Sequence, residues 1–183
     1  MAAQTIPDHI RAAFRLAGRD AQAVEEFANV PAAVWFSFAA AIIALPLFFT
    51  TLLLSEAGAN LAQAIGELGP YAVGWLLFPV VMAQVVVTID RERYYCRYIA
   101  AVNWCALVEY LVLTALVVIQ SIGVVPEGIG NLLFFAVVIW VLFYQHFVAR
   151  HALQIDGSVA ALIVGLRLVL DLVVVAVSGI IGG

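Results

Sequence analysis

Residues 98–122 read YIAAVNWCALVEYLVLTALVVIQSI, and only one of these side chains, Glu109, carries a charge. At about 1.5 Å rise per residue the run makes a helix of roughly 37 Å, more than the roughly 30 Å hydrocarbon core of a bilayer. A helix that is apolar on every side belongs inside a large core or inside lipid. Four more runs of this kind occupy 31–54, 70–89, 129–148 and 159–181. Hydrophobic residues make up 66% of the 183 residues and charged residues 11%. A soluble chain of this length cannot cover that much apolar surface. The expected fold is therefore all-α: a polytopic membrane bundle of five transmembrane helices over 31–183, preceded by an amphipathic cytoplasmic helix within 1–30.

Charge placement orients the bundle. The chain has no lysine, and its eight cations are arginines. Arg11, Arg15 and Arg19 precede the first run, Arg91, Arg93 and Arg97 lie between the second and third, and Arg150 follows the fourth. The two remaining connections carry no cation, only Glu56, Glu67 and Glu127. Arginines gather on the cytoplasmic side of membrane proteins, so the N-terminus is expected in the cytoplasm and the C-terminus outside. Usage rich in Ala and Arg and free of Lys suggests a bacterial inner membrane. The first thirty residues hold Asp8, Asp20, Glu25 and Glu26 and no early apolar region, so no cleaved leader is expected, and the first span is expected to act as its own insertion signal.

In that N-terminal segment Thr5, Pro7 and Asp8 form a helix start. Ile10, Phe14, Ala17, Ala21, Val24 and Phe27 recur at three- and four-residue steps. The pattern predicts one helix with an apolar stripe, which either lies in the membrane interface or docks on the cytoplasmic ends of the bundle. Pro46 and Pro79 are expected to kink the first two spans. Trp35, Tyr71, Trp75, Tyr94, Trp104, Trp140 and Tyr144 are expected to form interfacial belts.

Ionised groups inside a span are costly, so they mark the places where function is sought. Glu109, Arg167 and Asp171 are the three within these runs. Helical rise places Glu109 and Asp171 near one level, with Arg167 one turn away from Asp171 on the same helix face. If the third and fifth spans are neighbours, one guanidinium can fork between the two carboxylates. Asn103 and Gln84 fall at similar depths and complete a predicted polar layer of Glu109, Arg167, Asp171, Asn103 and Gln84. That layer can be a structural knot, or it can carry a proton or cation.

Other chemistries find little support. His146 and His151 lack a third ligand nearby, and Cys96 and Cys105 have no metal-binding spacing, so neither a metal nor a cofactor is expected. Hydrolase, phosphate-loop and haem patterns are missing, as is a basic patch for nucleic acid. No enzymatic activity is expected.

From about residue 94 to 177 the layout resembles that of the Yip1-like family of small five-helix membrane proteins. The resemblance is carried by the third run, the short connection Val125-Pro126-Glu127-Gly128, Leu142-Phe143-Tyr144, the polar connection 153–158 and the last run. It implies a scaffold, assembly or trafficking-type role through membrane lipids and other membrane proteins or further copies of the chain, with no catalytic residue. The alternative reading is a small proton- or cation-coupled transporter or channel that uses the polar layer.

Overall fold

The computed structural model describes residues 5–55 and 61–181, and no strand occurs among them. Among the described residues the α-helices are, in chain order, α1 (Ile6–Ala17), α2 (Pro31–Ser37), α3 (Ala39–Ser55), α4 (Leu61–Gly66), α5 (Leu68–Thr88), α6 (Tyr95–Ser121), α7 (Glu127–Leu153) and α8 (Gly157–Ile181). Five segments are long and apolar enough to cross a membrane: α2 with α3, α5 with the turn before it, then α6, α7 and α8. Glu56, used above in the charge argument, lies outside the described residues.

Helix α6 is the centre of the bundle. Over its apolar window 56% of the residues are buried, against 17–22% in the other four spans. It receives α3 and α2 on one side and α7 on another, with α1 at one end. Helix α8 packs on α7 and α5. The assumption that the third and fifth spans lie side by side is thereby corrected: α8 reaches α6 mainly through long side chains. In lipid, helix pairing follows shape rather than apolarity, so it is not written in the hydropathy pattern.

The first span is broken into α2 and α3 at Phe38. Ser37 turns its hydroxyl back onto the Val34 carbonyl (2.7 Å), and Asn103 of α6 donates to the same hydroxyl (2.9 Å). The proline sites behave differently, since α3 and α5 remain helical through Pro46 and Pro79. Thr50 Oγ1 donates to the Pro46 carbonyl, and Tyr95 Oη donates to that of Pro79, so side chains engage the backbone beside each proline. Threonines also join α3 to α6, with Thr51 Oγ1 and Thr114 Oγ1 2.9 Å apart.

Helix α7 continues to Leu153, a turn and more beyond the expected end at residue 148. It stops where Gln154 enters the left-handed region (φ 53°) and the Ile155 N–H returns to the Arg150 carbonyl. Both α6 and α7 hold 27 residues, about 40 Å of helix, so each exceeds the thickness of a hydrocarbon core.

The surplus lies at the end where the N-terminal segment packs. Helix α1 begins with the reciprocal Thr5–Asp8 cap anticipated from sequence. It ends at Ala17, not near residue 28, because Arg19 takes a positive φ (64°) and a short 3₁₀ turn follows over Ala21–Glu26. The buried face also differs from the expected stripe. His9, Ala12, Ala13 and Leu16 are buried, whereas Phe14 is 50% exposed. Alanines let the α1 backbone approach closely enough for Tyr144 of α7 to donate to the Ala13 carbonyl (2.7 Å). Tyr144 and Trp104 are accordingly buried packing residues, not belt residues. His9 stacks between Trp104 (5.3 Å, 12°) and Phe27 (5.6 Å, 22°). Arg15 clasps Asp20 (2.6 Å) and Glu26, closing the segment on itself.

The arginine-bearing connections meet at this same end. Arg97 pairs with Glu25 (2.9 Å), and Asn29 bonds the backbone at Arg93 and Arg97. Tyr94 Oη donates to Gln154 Oε1 (2.5 Å), which ties the α5–α6 connection to the α7–α8 connection. Buried residues concentrate in this half: Tyr98–Val108 of α6, Val148, Ala149, Ala152 and Leu153 of α7, and Met82 and Val86 of α5. The opposite half is open, with large apolar side chains such as Leu132, Phe135 and Val175 exposed.

Candidate functional site

The open half contains a cavity of about 680 Å³ between α5, α6 and α8, lined also by Phe48 and Leu52 of α3 and by Val141 and Gln145 of α7. Its inner end is formed by Val102, Asn103 and Pro79, and its lining continues outward to Glu67, Pro70 and Ser178. It thus runs from the middle of the bundle to the end away from the arginine-bearing connections. Volumes of this order hold small organic ligands.

Three of the five residues in the expected polar layer meet inside it. Glu109 is 7% exposed and lines the cavity, together with Arg167 and Asp171. Arg167 of α8 reaches across to Glu109 Oε2 (3.7 Å) and sets its guanidinium over the Phe78 ring (5.3 Å). The expected fork is not formed. Glu109 is the carboxylate within ion-pair distance of Arg167, and Asp171, one turn further along α8, stays exposed at the wall. A residue not foreseen completes the knot: Gln145 of α7 donates its amide to Glu109 Oε2 (3.1 Å). Nothing in the sequence distinguishes Gln145, a neutral residue near the end of the expected span 129–148. With α7 running to Leu153 it lies two turns inside the helix.

Asn103 lines the inner end of the cavity, but its amide is engaged with Ser37. It belongs to the joint that bends the first span. Gln84 is removed from the layer. It is exposed on another face of α5, and its carbonyl accepts from Thr88 (3.1 Å). The reason is rotational. Tyr71, Gly74, Trp75 and Phe78 define the cavity face of α5, and six residues beyond Phe78 the helix has turned about 240°.

Glu109 Oε1 is buried and has no hydrogen-bond partner among the described residues. A buried carboxylate oxygen without a donor is costly, so such an atom points to an unfilled chemical role. Around it the wall is aromatic. Trp75 and Tyr110 stack at 6.2 Å and 11°, and Tyr71 lies 6.1 Å from both. Tyr71 Oη donates to the Ala41 carbonyl of α3 (2.6 Å), which fixes its ring. Tyr71 and Trp75, expected in an interfacial belt, line the cavity because they share one face of α5.

The remaining candidates are occupied by backbone. His146 Nε2 pairs with the Gly157 carbonyl (2.9 Å), and His151 Nδ1 with that of Phe147 (2.8 Å). Among the described residues no group of three His, Cys, Asp or Glu is placed to hold a metal ion, and Cys96 and Cys105 are both free.

Comparison of the chain with protein-family models, with curated proteins and with solved structures returns no match in any of the three. The functional reading rests on the residues themselves.

Proposed function

We propose that this is a small transporter or channel of the bacterial inner membrane, with its N-terminus in the cytoplasm. A proton or another cation is taken into the cavity from the opposite side. One observation carries the reading: a cavity of about 680 Å³ leads from the far end of the bundle to Glu109, Arg167 and Asp171. Two carboxylates face one guanidinium there, so the site has one acidic group more than it needs for its own pairing. The test is flux of protons and monovalent cations into liposomes carrying the purified protein, with Glu109→Gln and Asp171→Asn beside it. Flux that exceeds protein-free liposomes and falls in both variants is expected. No flux above protein-free liposomes overturns transport.

A second reading, a scaffold, assembly or trafficking-type role through lipid or protein contacts, is favoured by the N-terminal segment and by the layout that resembles Yip1-like proteins. Helix α1 and the 3₁₀ turn fold onto the arginine-rich end, leaving Ile6, Phe14 and Val30 exposed there. Such a surface suits a partner or a lipid headgroup layer.

A further inference from the structure

We infer that the cavity binds an organic ammonium ion, a protonated amine carrying an apolar body. The inference rests on the binding role proposed above and names its ligand class.

Charge sets the sign of the ligand. Arg167 is already engaged with Glu109 Oε2 and the Phe78 ring, and among the described residues no other cationic side chain lines the cavity to receive an anion. Asp171 at the wall and Glu67 at the outer end both add negative potential along the lining. Hydrogen bonding sets the type of head. Asp171 is a carboxylate exposed at the wall, and while ionised it can only accept. An ammonium N–H gives it a charge-assisted bond, and Glu109, whose Oε1 is buried without a donor among the described residues, adds negative charge behind it.

The walls set the body. A bare metal cation needs a shell of about six oxygens, and the cavity is lined mostly by carbon. Tyr71, Trp75 and Tyr110 present a cluster of aromatic rings instead, fixed by their mutual contacts and by the Tyr71–Ala41 bond. Ring faces attract cations and also bury hydrocarbon, and a ligand with an ammonium head and an aromatic or aliphatic body uses both properties. Gly74 leaves room for it, because a β-carbon built there meets nothing within 4 Å.

The test is calorimetric titration of phenethylamine, at neutral pH, into the full chain in an uncharged detergent. Phenethyl alcohol and hydrocinnamate serve as the neutral and anionic counterparts. The amine is expected to bind saturably and at least about tenfold more tightly than either, a gap that one charge-assisted hydrogen bond supplies. Asp171→Asn and Glu109→Gln are each expected to weaken it by about tenfold. Gly74→Leu leaves every charge in place and narrows the space beside the aromatic wall, so it is expected to weaken binding by at least about tenfold. Because it does not touch the polar knot, it keeps the test open if Glu109→Gln does not fold. Equal binding of the alcohol, tighter binding of the carboxylate, or wild-type affinity in Gly74→Leu overturns the proposal. Flux without amine binding removes this inference alone, and amine binding without flux removes transport and leaves the site.

Discussion

Lowering the pH should loosen α1 from the bundle, and His9 should be the reason. Its ring is 5% exposed and lies between Trp104 and Phe27, with Phe36 at 5.5 Å. Its Nδ1 has no hydrogen-bond partner among the described residues. Burial therefore holds the imidazole below its ordinary value, with the nearby Asp8 carboxylate opposing in part. The sign follows from which state binds the proton more readily. A depressed value in the docked state means that the undocked chain takes the proton first. Docking is then at full strength above the ordinary value of about 6.5 and weakens as pH falls below it. Each pH unit over which the docked ring stays neutral below that value weakens docking by about 1.4 kcal/mol, roughly tenfold in the docking equilibrium. Attraction to Asp8 and stacking on Trp104 reduce this, so the figure is a ceiling. The neighbouring carboxylates do not compete in this window. Thr5 bonds hold Asp8 below the usual carboxylate range, and Arg15 does the same for Asp20. The assay is hydrogen exchange of residues 6–17, corrected for the intrinsic effect of pH, in the wild type and in His9→Phe. Protection should fall with pH in the wild type and stay level in His9→Phe, which cancels any contribution from His146 and His151. An equal fall in both proteins, or none in the wild type, refutes the reasoning.

Arg167→Leu should lower stability by about 3–5 kcal/mol, read as the detergent melting temperature, because it leaves Glu109 buried without its cation. Adding Glu109→Gln should recover most of that loss, and a double variant no more stable than the single one would count against the pair. For topology, single cysteines at Arg91 and Glu127, in a Cys96→Ser and Cys105→Ala background, should be labelled by a membrane-impermeant maleimide from opposite sides of sealed vesicles. Labelling from one and the same side would reverse the proposed arrangement.

The interior charges show how unevenly the site could be read from the chain. Glu109, Arg167 and Asp171 stand out because nothing else in those runs is ionised, and rise per residue places Glu109 and Asp171 near one level with Arg167 one turn away. Gln145 carries no charge to mark it, and it lies close to the expected end at residue 148, five residues before the helix stops, with Arg150 and His151 just beyond that expected end. In the structure those basic residues fall in the last helical turn, where the helix dipole favours them. Gln84 was included on depth alone, and only the rotation of α5 against its neighbours shows that it faces away. On α1 the expected stripe follows three- and four-residue spacing from Ile10, but the helix turns a different face, His9, Ala12, Ala13 and Leu16, to its neighbours. Ala12 and Ala13 were therefore buried in place of Phe14.

Five apolar helices and the gathering of arginine connections at one end follow from the sequence alone, since both depend on quantities local to each segment. Length against bilayer thickness decides the first, and the cost of moving a guanidinium across lipid decides the second. Which helices touch, and hence the cavity and its aromatic wall, was decided only by the tertiary structure. Inside a bilayer an apolar side chain gains little by leaving lipid for protein, so association depends on shape and on a few polar contacts between distant residues. Those contacts, Arg167 with Glu109, Gln145 with Glu109 and Tyr144 with Ala13, join positions 13 to 167 in ways that no local pattern records.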